Sequence, residues 1–201
     1  MKIIGISFLR WEEGRLEEPV FLAQATDLSS FGFFERSTAA QFVKFISRTI
    51  LKRTPKGKRQ SVIHEGNTVR AHLRSDGLGA VMVSDGEYPE RVSFSILNKL
   101  MEEFATQQQG KWQAVLQDTK IAFPPLDTAI VEYQDPTKAD KITKIQKDLD
   151  DTIGVMHKTI ENLLERDVKL NSLVERSTDL SAQSKLFYKS AAEHNKCCVI
   201  S

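Results

Sequence analysis

After Pro136 the chain contains no proline, and its one glycine there is Gly154. A proline-free run of this length is what a long helix requires, because an internal proline removes a backbone hydrogen bond and clashes with the preceding turn. Within it, alternating steps of three and four residues pass through Ile142, Ile145, Leu149, Thr152, Met156, Thr159, Leu163, Arg166, Leu170, Leu173, Ser177, Leu180, Ser184, Phe187, Ala191 and His194. Ten of these 16 positions are apolar. A strict period of 3.5 over about seven heptads marks a coiled coil rather than a globular helix. As one straight rod the segment would be roughly 80 Å long. A stripe this narrow cannot bury itself, so the segment needs partners.

Arg166 stands in that row between Leu163 and Leu170. A guanidinium in a sealed apolar seam is costly unless its donors find acceptors. Two copies of this helix would set like charges face to face. Different helices offering polar acceptors at the same level, such as glutamine amides, would satisfy the group and fix register and partner together. A surface position for Arg166 requires another register, and a shift breaks the apolar row on both sides.

Upstream, five of the six prolines break the chain into short elements. Lys2 to Arg10 and Pro19 to Thr26 read as strands. Ser37-Thr38 opens a helix carrying Phe42, Val43, Phe45, Ile46 and Ile50 at helical spacing. Ser61 to His64 and Thr68 to Leu73 flank Glu65-Gly66-Asn67, a hairpin turn. Leu78 to Val83 forms a further strand between two Ser-Asp-Gly turns. Pro89 fits the first turn of a second helix bearing Val92, Phe94, Ile96, Leu97, Leu100, Met101 and Phe104. The order ββαβββα with short turns predicts an antiparallel sheet with helices packed on it, the α+β class. Phe123-Pro124-Pro125 and Gln134-Asp135-Pro136-Thr137 punctuate the passage to the second part.

Several chemistries are excluded. Lys+Arg and Asp+Glu number 28 and 27, a net charge of +1, which argues against wrapping nucleic acid. The two cysteines are adjacent and cannot staple distant parts of the chain. No apolar run approaches the ~20 residues of a membrane-spanning helix, and the apolar N-terminus is too brief for a signal peptide. A cytosolic, reduced setting is expected. No phosphate-binding Gly-x-x-x-x-Gly-Lys-Ser/Thr loop occurs, His64-Glu65 lacks the second histidine of a zinc motif, and no cofactor is expected. Lys44, Arg48, Lys52, Arg53, Lys56, Lys58 and Arg59 form a basic run without an acid between them. It reads as a solvated helix end and loop, or as a modest attraction to anionic lipid headgroups.

The unusual chemistry sits at Cys197-Cys198-Val199-Ile200-Ser201. Cysteine, two aliphatics and serine fit a C-a-a-X prenylation pattern whose last residue favours farnesyl on Cys198. Cys197 beside it suits reversible palmitoylation. One prenyl chain anchors weakly and two chains anchor firmly.

With the Leu163-Leu164-Glu165-Arg166-Asp167-Val168-Lys169-Leu170 core, the terminal cysteine pair and the small α+β domain in front, the chain resembles the lipid-anchored R-SNAREs of the longin family. The resemblance implies a profilin-like longin domain over residues 1–135, with a five-stranded antiparallel sheet and helices on both sides. A linker at 136–140, a SNARE coiled-coil helix at 141–196 and a lipidation motif at 197–201 would follow. Arg166 would be the central-layer arginine, and Ile142, Ile145, Leu149, Met156, Leu163, Leu170, Leu173, Leu180 and Phe187 the seam. The partners implied are three Q-SNARE helices, the SNARE-disassembly ATPase with its adaptor, a prenyltransferase, and a membrane reached through two lipid anchors. Cys197 would carry palmitate. Cys198 would carry farnesyl and a terminal methyl ester after removal of Val199, Ile200 and Ser201. Vesicle fusion in ER–Golgi, Golgi and endosomal or vacuolar transport is implied, on the cytosolic face of those membranes, with a cytosolic pool. Two other classes stay open: a longin domain that promotes acyl transfer to Cys197, and a lipid-anchored adaptor that fuses nothing. Phe42, Phe45 and Ile46 would line a groove for the chain's own tail. A second apolar row, Ile153, Ile160 and Val174, predicts that the tail folds back on that groove, broken into shorter helices near Gly154. The alternative is a tail disordered until partners arrive.

Overall fold

Alternation along the central strand sets the layering. In β5 (Leu78–Asp85), Leu78, Ala80 and Met82 belong to the core on one side of the sheet and Val81 and Val83 to the core on the other. A strand buried on both faces needs cover on both. The structure, a computed structural model, describes residues 2–139, 154–164 and 168–197. β1 (Ile3–Arg10), β2 (Val20–Thr26), β3 (Lys58–His64) and β4 (Asn67–Leu73) complete five antiparallel strands in the order β2-β1-β5-β4-β3. Helix α1 (Arg36–Lys52) covers one face, and α2 (Glu90–Gln107) and α3 (Pro124–Glu132) cover the other. This is the α+β class that the sequence predicts, with the helices on both sides that the resemblance implies.

Two local features hold it together. Helix α1 lies close to the sheet because Gly5 and Gly79 present no side chain beneath it. A Cβ on Gly79 would stand 2.4 Å from Leu51 Cδ2, and one on Gly5 2.7 Å from Val43 Cγ1. On the opposite face Phe8, Phe104 and Phe123 form a ring cluster with centroids 5.0 to 5.9 Å apart. Helix α3 begins at the Pro-Pro pair that reads as a mere break. Proline is tolerated in a first helical turn, where the N–H has no intrahelical acceptor, and Leu126, Ala129 and Ile130 then bury against the core.

The tail is not a single rod. β6 (Val155–Thr159) adds to the outer edge of β3, in parallel, as a sixth strand. Helices α4 (Ile160–Leu163), α5 (Leu170–Arg176) and α6 (Ala182–Cys197) follow. The fold-back predicted from the second apolar row includes helices only, so β6 is an addition. Its cause is local and tertiary together. Val155 and Thr159 are β-branched, and β3 would otherwise present an unpaired edge. Without other helices to complete a bundle, the narrow apolar stripe finds its cover on the domain.

Candidate functional site

Helix α1 is apolar on more than the flank that meets the sheet. Val43, Ile50 and Leu51 join the core beneath it. Phe42, Phe45 and Ile46 turn toward the tail. Phe45 packs with Val174 and Leu180, joined by Phe42, Leu170, Leu173 and Tyr188. The Phe42 and Tyr188 rings lie 5.4 Å apart, and Phe42 meets Phe45 edge to face at 6.3 Å. Ile46 packs on the cluster that holds Ile160, Leu163 and Leu164. Polar contacts frame this surface. The Ser181 N–H donates to Gln41 Oε1 at 2.7 Å, and Ser184 Oγ lies 3.4 Å from Thr38 Oγ1. The Thr159 hydroxyl caps α4 by accepting from the Asn162 N–H at 3.3 Å.

The seam and the second row divide the work unequally. Ile160 and Val174, outside the seam, are each 1% exposed. Of the seam residues, Leu163 and Leu180 are buried, Met156, Leu170 and Leu173 are half-buried, and Phe187 is 51% exposed. The row that a four-helix bundle does not need is therefore the one most deeply seated on the domain.

An ionic clasp locks the same surface. Arg48 Nε donates to Asp179 Oδ2 at 2.7 Å and Nη2 to Asp179 Oδ1 at 2.9 Å, a bidentate pair. Nη2 also donates to Asp118 Oδ2 at 2.7 Å. Lys44 Nζ lies 2.8 Å from Asp118 Oδ2 and 3.3 Å from Asp179 Oδ1. Two cations of α1 thus hold one carboxylate from the loop before α3 and one from the tail. The Asp179 side chain is only 5% exposed, so losing Arg48 would leave a buried carboxylate with Lys44 alone, at 3.3 Å. Burial alone would raise the pKa of Asp118. Hydrogen bonds from Arg48, Lys44 and the Phe21 N–H outweigh it and hold the carboxyl at about 2, below the usual 3.8. Burial alone would lower the pKa of Arg48; its hydrogen bonds to Asp179 and Asp118 outweigh it and keep the guanidinium above its ordinary value.

A pH dependence follows from the depressed aspartate. The stability contributed by Asp118 is present in full above about pH 4 and is lost as pH falls toward 2. Compared with Asp118→Asn, the native protein should melt higher at pH 5 to 7, and the two melting curves should converge as acid is added. A difference independent of pH would remove the clasp from the stability of the fold.

The geometry corrects the reading of the basic run in part: Lys56 and Lys58 are exposed, as a solvated loop requires, and the others are engaged. Lys44 and Arg48 are in the clasp, Lys52 pairs with Glu18 at 2.7 Å, and the buried Arg59 stacks over Phe94. These side chains are neither a freely solvated face nor an open lipid-binding patch. Signals for the clasp were present as Lys44 and Arg48 one turn apart, but their acids lie 70 or more positions away.

Arg166, Ile142, Ile145, Leu149, Ile153, Cys198, Val199, Ile200 and Ser201 lie outside the described residues. Cys197 is the last residue of α6. A largely apolar cavity of about 370 Å³ opens between the loop before α1, the β3–β4 turn and α6, lined among others by Phe31, Ala39, Phe42, Ile46, Tyr188 and Ala191. Among the described residues no helix is long and apolar enough to cross a membrane, and no cluster of His, Cys, Asp or Glu could hold a metal ion.

Two family models match the chain. The regulated-SNARE-like longin domain matches residues 28–130, and the synaptobrevin family model matches residues 141–200. The chain is 44% identical over 201 residues to synaptobrevin homolog ykt6 of Schizosaccharomyces pombe, covering all of both chains. It is 44% identical over 200 residues to VAMP-like protein YKT61 of Arabidopsis thaliana, again covering all of both. With synaptobrevin homolog YKT6 of Saccharomyces cerevisiae the identity is 44% over 187 residues, 92% of this chain and 93% of that protein. A sheet-and-helix domain carrying its own heptad tail, and full-length similarity of this degree, place the chain in the longin-domain synaptobrevin family of R-SNAREs.

Proposed function

We propose that the chain is an R-SNARE of vesicle transport whose tail rests on its longin domain until partner helices take it. The supporting observation is that one segment has two uses. Residues 156–164 and 168–187 carry part of the heptad row, and in this structure they close the β3 edge and the apolar flank of α1. The two uses exclude each other, because α1 and the partner helices compete for the same tail. Assembly with three Q-SNARE helices would draw the two membranes together, and the disassembly ATPase with its adaptor would return the tail to the domain.

Lipidation belongs to the same proposal. Farnesyl on Cys198 from a prenyltransferase, followed by palmitate on Cys197, would anchor the open form to the cytosolic face of ER-derived, Golgi, endosomal or vacuolar vesicles. A prenyl chain exposed to water is unfavourable by about 0.8 kcal/mol per CH₂. The apolar cavity beside Phe42 and Tyr188 offers a place for such a chain in the closed form.

The test is the central position. Arg166→Leu should weaken discrimination among partner helices roughly tenfold, because the polar layer no longer penalises shifted pairings. Cross-linking of assembled bundles reads both partner and register. An unchanged partner set in unchanged register would remove Arg166 from the central layer.

A further inference from the structure

Phe33 and Phe34, just before α1, are the most exposed large apolar side chains among the described residues, at 78% and 92%. They are not on a loose loop. Glu35 Oε2 accepts from the Gly32 N–H at 3.1 Å, and Arg36 Nε donates to the Phe31 carbonyl at 3.2 Å. The Glu35 N–H donates to the Gly32 carbonyl at 2.9 Å. Both flanking charges are thus bonded to the loop's own backbone, and the two rings stand outward edge to face, 5.5 Å apart. Phe31 turns the other way, into the cavity that Tyr188 and Ala191 of α6 also line. Cys197 follows Ala191 on the same helix, about 9 Å further along its axis. Phe31, beside the aromatic tip, and Ala191, on the helix that ends at Cys197, therefore line one cavity.

We propose that the Phe33–Phe34 tip is a membrane-docking element that inserts its rings among lipid acyl chains once the prenylated tail has lifted and reached the same bilayer. This rests on the reading that the cysteine pair meets a membrane. The chemistry favours lipid over a protein partner. Two rings bury too little area for a stable protein interface. Glu35 and Arg36, the charges beside the rings, each spend a bond on the loop's own backbone. A bilayer asks for neither area nor register, only apolar surface at the boundary of headgroup and chain. A single prenyl chain holds a protein weakly, and a second contact would prolong the stay during which Cys197 can be acylated.

The experiment uses the full chain carrying Phe34→Trp, coupled through its two cysteines to maleimide-bearing lipid in phosphatidylcholine vesicles. The native Trp11 and Trp112 are buried and provide a constant background. Brominated acyl chains should quench the introduced indole about twofold, with a blue-shifted emission, and adding Phe33→Ser should reduce that quenching. Emission quenched by aqueous iodide but not by brominated lipid would overturn the proposal. So would an indole shielded from both quenchers, which would put the tip against protein. Chemical coupling makes the result independent of prenylation, so this proposal and the lipidation of Cys198 can fail separately.

Discussion

In a Val174→Glu variant, amide protons of β6, α4, α5 and α6 should exchange at least 100-fold faster than in the native protein, while β1, β2, β4 and β5 stay protected. Val174 is 1% exposed and packs on Phe45. A carboxylate there would meet apolar side chains, and an unpaired buried charge costs roughly 3 kcal/mol or more. The tail has an alternative that the domain lacks: it can detach into water and relieve the charge. Most of the cost is therefore expected to appear as opening rather than global unfolding. Val174 has no place in the heptad row, so bundle formation with three partner helices should survive and should start faster. Phe42→Glu attacks the same contact from the domain side and should give the same exchange pattern. Native-like protection in both variants would mean that the tail is held by something other than this surface.

The five antiparallel strands and the two long helices were legible because each is coded locally. Alternation along Leu78 to Val83, the Glu65-Gly66 turn and the spacing of Phe42, Val43, Phe45 and Ile46 need no knowledge of distant residues. Glu65 and Gly66 do take positive φ, 47° and 76°, as a two-residue hairpin turn requires. Strand β6 was not legible. Val155 to Thr159 lies inside the heptad row, and only the unpaired edge of β3, some 90 positions earlier, converts it to a strand. Helix α3 was hidden by a proline pair that serves a helix start as well as a break. The clasp was hidden for a third reason: a basic run shows its cations together, whereas Asp118 and Asp179 come from segments that meet only in the folded chain. The groove reading of Phe42, Phe45 and Ile46 came from the resemblance, because helical spacing alone does not say which apolar side chains of α1 face the sheet and which face Val174 and Leu180.

Cys198→Ser should abolish membrane association altogether, and palmitate should be absent from Cys197 although that thiol is intact. On the proposed lipidation, the first lipid would deliver the second thiol, because an unprenylated chain would have no stable route to the membrane. Cys197→Ser should behave differently: a farnesylated protein that reaches membranes and leaves them again, because one chain gives only marginal, reversible binding. The closed tail sharpens the contrast. A farnesyl chain sheltered beside Phe42 and Tyr188 would be withheld from the bilayer until the tail lifts. Combining Val174→Glu with Cys197→Ser should therefore shift the singly lipidated protein toward membranes, and combining it with Cys198→Ser should not. Fractionation of cells expressing the four variants, with palmitate labelling, reads every step. Membrane retention of the Cys198→Ser protein, or palmitate on it, would overturn the order of the two lipids.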